Sequence, residues 1–555
     1  MNAWQTYYPR PQMRRDSFFS LCGADWTLEG QPIRIPFPPQ SRLSGYQGEV
    51  GDRLHYQTRF TLPEGFCGAG QRVLLHFGAV DQQAWVTLNG SPVAFHEGGY
   101  LPFGTDVTRA LVPGENRLEV LAEDTLDRDL PYGKQSRKPG GMWYTPVSGI
   151  WQSVWLEAVP EQYIRDLYIT PDLTGISLQV ACDAPLCEVR VLLEGAEIVK
   201  TTFRPGQEKL RIDIPEEHRR LWTPEHPHLY DLLVHAGEDE VRSYFALRTV
   251  EIRPDAGGVQ RVCLNGKPLF MNAVLDQGYY PDGIFLPEDP AEFEQDVLRM
   301  KALGFNMLRK HVKIEPECFY HACDRLGMLV MQDMVNSGPY SWLMDTALPT
   351  IGFKWTPHLP ISKRGREIFT RQATETLRHL YDHPCIIAYT IFNEGWGQFR
   401  PERLFRLLKG IDGSRFYDVC SGWFEPRETD VDSRHVYFHN KRLKPGKRRP
   451  MFLSECGGYA RPIAGHLWKP EANYGYGKTD TAEQLTAAIA RMYAEMVQPA
   501  IPEGLCGVVY TQLSDVEEEI NGLYTYDREV CKVDAAKMRQ ILREAEERLS
   551  NAVHS

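Results

Sequence analysis

The chain has 555 residues, with 62 Lys and Arg against 73 Asp and Glu, for a formal net charge of −11. At roughly 150 residues per domain that length holds three or four domains, and the mild acidity speaks against nucleic acid or an anionic membrane as the main partner. Charged residues at 24% and apolar ones at 42% exclude a disordered chain, while 12 Trp and 26 Tyr suggest a substrate that stacks on rings, such as a sugar.

Residues 1–20 are polar and carry Arg10, Arg14 and Arg15 with no apolar stretch behind them. No apolar run reaches the roughly 18 residues that a membrane helix needs. The expectation is a cytoplasmic protein without signal peptide or membrane segment. Twelve cysteines run from Cys22 to Cys531 without a CxxC pair, which favours buried free thiols over a disulfide scaffold.

Residues 1–158 read as all-β. Short apolar runs at 54–60, 73–77, 84–88 and 117–121 are separated by turn signals such as Asn89-Gly90 and Pro113-Gly114, the rhythm of a β-sandwich or jelly roll. Residues 159–254 repeat that style in a smaller unit, with runs at 177–181, 188–193 and 209–214, and suit an immunoglobulin-like sandwich. The stretch 221–230 holds Pro224 and Pro227 and is no central strand.

From residue 255 to 555 strand-like and helical patterns alternate. The strand candidates are 270–274, 306–309, 329–333, 386–392, 416–420, 435–438, 451–455 and 508–513. Helix candidates include 291–303, 366–381, 481–496 and 534–549. Eight strands interleaved with helices predict a (β/α)8 barrel. A doubly wound sheet is the rival, but no Gly-rich phosphate loop follows the first strand.

In such a barrel chemistry sits at the carboxyl ends of strands. Two carboxylates stand there, Glu394 after the fourth run and Glu455 closing the seventh, within Asn393-Glu394-Gly395 and Ser454-Glu455-Cys456-Gly457-Gly458. A Glu ending an apolar strand is costly to bury without a partner or a task. One such Glu reads equally as half of a rim salt bridge. Two of them match glycoside hydrolysis, which needs an acid to protonate the leaving oxygen and a second carboxylate to attack or to activate water.

Further along this reading, the chain resembles glycoside hydrolase family 2, the β-galactosidase and β-glucuronidase group. The resemblance runs through WYTPVSGIWQSVWLE at 143–157, Val80-Asp81 through Asn89-Gly90, LNGKP at 264–268, FNMLRKH at 305–311, FNEGWG at 392–397 and FLSECGG at 452–458. It implies a retaining exo-acting β-glycosidase with Glu455 as nucleophile, Glu394 as acid and then base, and Asn393 on the sugar 2-hydroxyl. Arg309 would sit beside Glu455, or in a rim salt bridge. Tyr437 matches the family's Tyr against the nucleophile, with a core Tyr as the alternative. His311, Asp276 and Gln277 are candidate hydroxyl ligands, against a structural His and a solvated loop. Trp396, Trp423 and Trp468 are candidate stacking rings, against plain packing.

The sequence departs from the family at the last strand. Glu519 and Asn521 stand where the Asn and Lys that grip a uronate carboxylate would be, which weakens a glucuronidase reading. YTQLSD at 510–515 lacks the Trp of familiar β-galactosidases. A basic run at 441–449, KRLKPGKRR, points back towards a uronate or a charged aglycone, or is a solvated loop. The long loop 335–362, with Trp342 and Trp355, is expected to shape the pocket.

The leading expectation is therefore a β-galactosidase-like glycosidase acting on an oligosaccharide or glycoside. A uronate-specific glycosidase is the alternative, and a non-catalytic carbohydrate-binding protein stands in another class. A metal-dependent hydrolase is disfavoured, because the one His-x-His, His226-Pro227-His228, falls in the second sandwich. No cofactor and no catalytic metal are expected; a homo-oligomer and a structural Mg²⁺ or Ca²⁺ are compatible with the sequence.

Overall fold

The computed structural model describes residues 3–205, 209–350, 360–472 and 474–554. In the first unit, alternation of inward and outward side chains builds two antiparallel sheets. Arg53–Thr61 turns Leu54, Tyr56 and Phe60 inward, and its partner Glu115–Glu123 turns Leu118, Val120 and Ala122 inward. These strands lie central in a six-stranded sheet, and a four-stranded sheet formed around Val154–Pro160 and Gln71–Phe77 also contributes to the core. The Asn89-Gly90 signal closes the hairpin between Gln83–Leu88 and Ser91–Glu97, with φ of 51° and 79°. Two positive φ values in a two-residue loop are what a twisted hairpin requires.

The second unit pairs a three-stranded sheet with a four-stranded one, around a separate core of Leu178, Val189, Val191, Leu232 and Val234. Residues 221–229 form no strand of it: Leu221 makes only an isolated bridge to Leu247, and Tyr230 opens the strand Tyr230–Ala236. A hairpin of Val250–Pro254 and Gln260–Leu264 then leads to the barrel, so residue 255 lies in its turn.

All eight expected barrel strands form, in one parallel sheet. We number them β1 Met271–Asp276, β2 Met307–Lys310, β3 Leu329–Asp333, β4 Ile386–Asn393, β5 Phe416–Ser421, β6 Asp432–Val436, β7 Met451–Gly457 and β8 Leu505–Thr511. The order is β5-β4-β3-β2-β1-β8-β7-β6, a barrel nearly closed between β5 and β6. Side chains bridge that seam: Ser433 Oγ donates to Asp418, and Ser421 Oγ lies 3.1 Å from His435 Nε2.

Two strands start three residues ahead of their expectation: β8 at Leu505 rather than at residue 508, and β6. β6 begins at Asp432 rather than at residue 435, and Tyr437 and Phe438 lie beyond its end. The polar start Asp432-Ser433 hid it, because Arg449 and Asp418 hold those two side chains. The helix Ala291–Leu303 is as expected; Lys363–His379, Ala482–Met492 and Ala535–His554 differ at their ends, and Tyr493–Val497 continues Ala482–Met492 as a π-helix. Glu317–Leu326 and Pro401–Ile411 are helices that the sequence pattern did not reveal. The first is rich in Cys, Phe, Tyr and His, weak helix formers held by packing. Among the described residues no helix is long and apolar enough to cross a membrane. All twelve cysteines are free thiols, ten of them buried.

Candidate active site

The carboxyl ends of the barrel strands converge on one polar cluster. Arg309 on β2 is fully buried and meets four partners. Its Nη1 donates to Glu455 Oε1 at 3.0 Å and to the Ser454 carbonyl at 2.9 Å, its Nε to Asp333 Oδ1 at 3.0 Å, and its Nη2 to Asn393 Oδ1 at 2.9 Å. A planar fork with fixed donors is suited to holding two carboxylates and an amide at once. Arg309 can only donate, so the Asn393 oxygen faces it and Nδ2 turns towards the cavity that Asn393 lines.

Glu394 follows β4 in the left-handed region, at φ 53°, and its backbone N–H donates to the Ser421 carbonyl of β5 at 2.9 Å. Strain of this kind, of order 1–3 kcal/mol, clusters at functional sites. The following turn is tight: a Cβ on Gly397, at φ 66°, would stand 2.0 Å from the Ser337 carbonyl. His435 lies between the carboxylates, with Nδ1 2.9 Å from Glu394 Oε1 and 3.5 Å from Glu455 Oε2. One oxygen of each Glu and one ring nitrogen of His435 all lie within 4.8 Å of one another.

Tyr437 donates its hydroxyl to Glu455 Oε2, lies 3.1 Å from Thr511 Oγ1, and stacks on Tyr476 with centroids 4.4 Å apart. Burial by itself would push the Glu455 carboxyl up. His435, Arg309 and His311, with the Tyr437 hydroxyl, outweigh it and bring the pKa down to about 2. Burial and the neighbouring Glu455 push the Tyr437 phenol well up, so it is a donor at neutral pH. His311 Nδ1 meets Asp333 Oδ2 at 2.7 Å; burial, with Lys134 nearby, lowers its pKa against the pull of Asp333.

A cavity opens over this cluster. Its walls include Gln277, His311, Asn393, Glu394, Trp423, Tyr437, Glu455, Thr511 and Glu519 from the barrel, with Thr346 from the loop after β3 and Lys134 and Met142 from the first sandwich. Trp355, in the same long loop, lies outside the described residues.

Three sequence candidates stand elsewhere. Asp276 alternates with Leu275 and Gln277 along β1 and points away from the cavity, paired with Lys310 in a buried network with Glu315. Trp396 is buried behind the wall, packed on Trp143 and Tyr340 with its indole N–H on the Gly338 carbonyl. Trp468 is 42% exposed and rests on Tyr526.

The basic run 441–449 leads away from the cavity. Pro445 lies against Gly504, just before β8; Gly446 lies against Asp432, the first residue of β6; and Arg442 pairs with Glu503. Arg442 and Arg449, which pairs with Asp432, are thus held towards the amino ends of the strands, and no residue of the run lines the cavity.

Sequence reasoning missed Asp333, His435, Tyr476, Lys134 and Glu519 as site residues. Asp333 closes LVMQD as Glu455 closes MFLSE, so the same rule finds it. His435 stands two residues before the candidate Tyr437, the spacing that would put both on one face of the expected strand 435–438. Nothing local marks Lys134, which belongs to another unit. Glu394, His435 and Glu455 present a donor set that a cation could share, although Arg309 and Tyr437 already occupy Glu455.

Residues 46–159 match the family model described as glycosyl hydrolase 2 galactose-binding domain-like, and residues 162–248 match glycosyl hydrolases family 2. A β-galactosidase of Aeromonas hydrophila is 29% identical over 488 residues, covering 79% of this chain and 44% of that protein. A β-galactosidase of Enterobacter cloacae is 27% identical over 433 residues, 72% of this chain and 38% of the other. The chain thus spans less than half the length of these relatives. In fold it is similar to a β-D-glucuronidase of Dictyoglomus thermophilum, with TM-score 0.77 at 18% identity over 97% of this chain and 98% of that one. It is also similar to a β-galacturonidase from Eisenbergiella tayi bound to galacturonate, with TM-score 0.69 at 20% identity over 98% and 99%.

Proposed function

We propose that this chain, which belongs to glycoside hydrolase family 2, is a retaining exo-acting β-glycosidase. The observation that carries the reading is the meeting of Glu394 and Glu455, with oxygens within 4.8 Å of each other at one barrel mouth. Retention needs carboxyl groups about 5–5.5 Å apart.

In this mechanism Glu455, kept ionised by Arg309 and Tyr437, attacks the anomeric carbon. The glycosidic bond breaks as Glu394 gives its proton to the leaving oxygen. Glu394 then takes a proton from water, the water oxygen bonds the same carbon, and Glu455 departs as carboxylate. Asn393 Nδ2 donates to the sugar 2-hydroxyl, a bond that strengthens as charge develops.

For the sugar, a neutral β-galactoside-like glycone is the first reading, supported by the Glu519 carboxylate on the cavity wall and by the β-galactosidase relatives. A uronate is the second, favoured by the Lys134 ammonium on the same wall. The test is a panel of aryl β-galactoside, β-glucuronide and β-galacturonide on wild type, Glu455→Gln and Glu394→Gln. Turnover that falls by several powers of ten in both variants supports the mechanism (~10⁴ or more). No turnover of any glycoside by wild type would leave a carbohydrate-binding protein instead.

A further inference from the structure

Lys134 reaches the cavity because the first sandwich touches the barrel. Gly133, at φ 61°, runs so close that a Cβ there would stand 2.8 Å from the Val312 carbonyl. The next residue lays its ammonium into the cavity: Lys134 is 8% exposed, lies over the Trp143 ring at 5.6 Å, and makes no ion pair among the described residues. A buried ammonium without a carboxylate is costly unless a ligand supplies the missing acceptor.

Glu519 faces the same space from the loop after β8, at 4% exposure. Its Oε2 accepts from Tyr144 of the first sandwich, and its Oε1 from Asn521 Nδ2 at 2.9 Å. Asn521 is held in turn by Gln512 Nε2 at 2.8 Å, and the neighbouring Glu517 accepts from the Thr145 N–H at 2.9 Å. The sandwich therefore both supplies Lys134 and fixes Glu519. Each Glu519 oxygen keeps acceptor capacity. Two further groups on this wall have no partner among the described residues: the Gln277 Oε1 and the Trp423 Nε1.

We propose that Lys134 and Glu519 form a clamp across two domains that selects a neutral terminal sugar, the ammonium donating to one hydroxyl and the carboxylate accepting from another. This rests on the glycosidase reading and names its substrate class. The unpartnered wall offers donors, Lys134 Nζ and Trp423 Nε1, and acceptors, Glu519 and Gln277 Oε1. A hydroxyl donates and accepts at one oxygen, so a neutral polyol satisfies both kinds. A uronate carboxylate only accepts, and would enter a cavity already lined by Glu394, Glu455 and Glu519. A site built to hydrogen-bond hydroxyls rejects a ligand that leaves its polar groups unpaired.

The experiment measures kcat and KM for aryl β-galactoside, β-glucosides and both uronides on wild type, Lys134→Met, Lys134→Arg and Glu519→Gln, with thermal unfolding alongside. Lys134→Met breaks no ion pair among the described residues, although it takes a positive charge from the neighbourhood of Glu519; thermal unfolding separates loss of the clamp from loss of the fold. The expected result is wild-type preference for a neutral glycoside, KM raised about 10- to 100-fold in Lys134→Met with kcat within a few-fold, and partial recovery in Lys134→Arg. Glu519→Gln should raise the uronide-to-neutral ratio of kcat/KM about 10-fold. Unchanged KM in Lys134→Met, or a wild-type preference for uronides that Lys134→Met abolishes, overturns the clamp while the glycosidase reading stands. A wild type inactive on every glycoside overturns both.

Discussion

His435 stands against Glu394, its Nδ1 2.9 Å from the Oε1, while its Nε2 lies 3.1 Å from the Ser421 hydroxyl. The serine hydroxyl can donate to Nε2, which leaves the proton on Nδ1 to point at the carboxylates. The ring thus orients the proposed acid across the seam where the barrel lacks a ladder.

Replacing His435 with Ala should lower kcat about 100-fold and change KM little, since the ring positions Glu394 without itself lining the cavity. Ser421→Ala should have a smaller effect of the same sign. Steady-state kinetics on an aryl glycoside decide it, and an unaltered kcat in His435→Ala would remove the positioning role.

Glu394→Gln should retain the first step with an activated aryl leaving group but stall at the glycosyl-enzyme, for want of a base. Azide needs no base, so added azide should restore turnover and yield the β-glycosyl azide. Product of the α configuration would mean single displacement and refute the retaining mechanism.

Tyr437→Phe removes one of the contacts that bring Glu455 down to about 2. The sign follows directly: a depressed carboxylate contributes stability above the ordinary value of 4.5 and loses it as pH falls towards 2. Without the hydroxyl the Glu455 pKa rises, by about one unit for a bond of roughly 1.5 kcal/mol to a charged group. The acid limb of kcat/KM should move to higher pH and kcat should fall. A pH profile that superimposes on wild type would contradict this.

Arg15 ties the two sandwiches: its Nη1 donates to Glu157 Oε2 at 3.2 Å, and its Nε and Nη2 both donate to Asp239 at 2.9 Å. All three side chains are buried. Arg15→Met strands two buried carboxylates and should cost about 3–5 kcal/mol, read as a lower urea midpoint. Loss below about 1 kcal/mol would mean that water reaches the pair.

Sequence by itself determined the layering of the chain and its two most telling carboxylates. Alternation of period two marks strands such as 53–61 wherever one face is buried, and continuous apolar runs such as 386–393 mark parallel strands buried on both faces. Such patterns are local, and so is the oddity of a Glu at the end of an apolar strand. What only the tertiary structure decided is which polar residues share a space. Asp276 and Gln277 are neighbours in sequence, but the β pleat sends one to Lys310 and the other to the cavity. The basic run follows β6 yet travels back to the opposite end of the barrel, because a parallel strand must be re-entered from its amino end. Lys134 and Glu519 stand 385 positions apart (519 − 134) and face one cavity because Gly133 lets the sandwich loop close on Val312. Packing between domains carries no periodicity along the chain, so no pattern of spacing could bring those two side chains together.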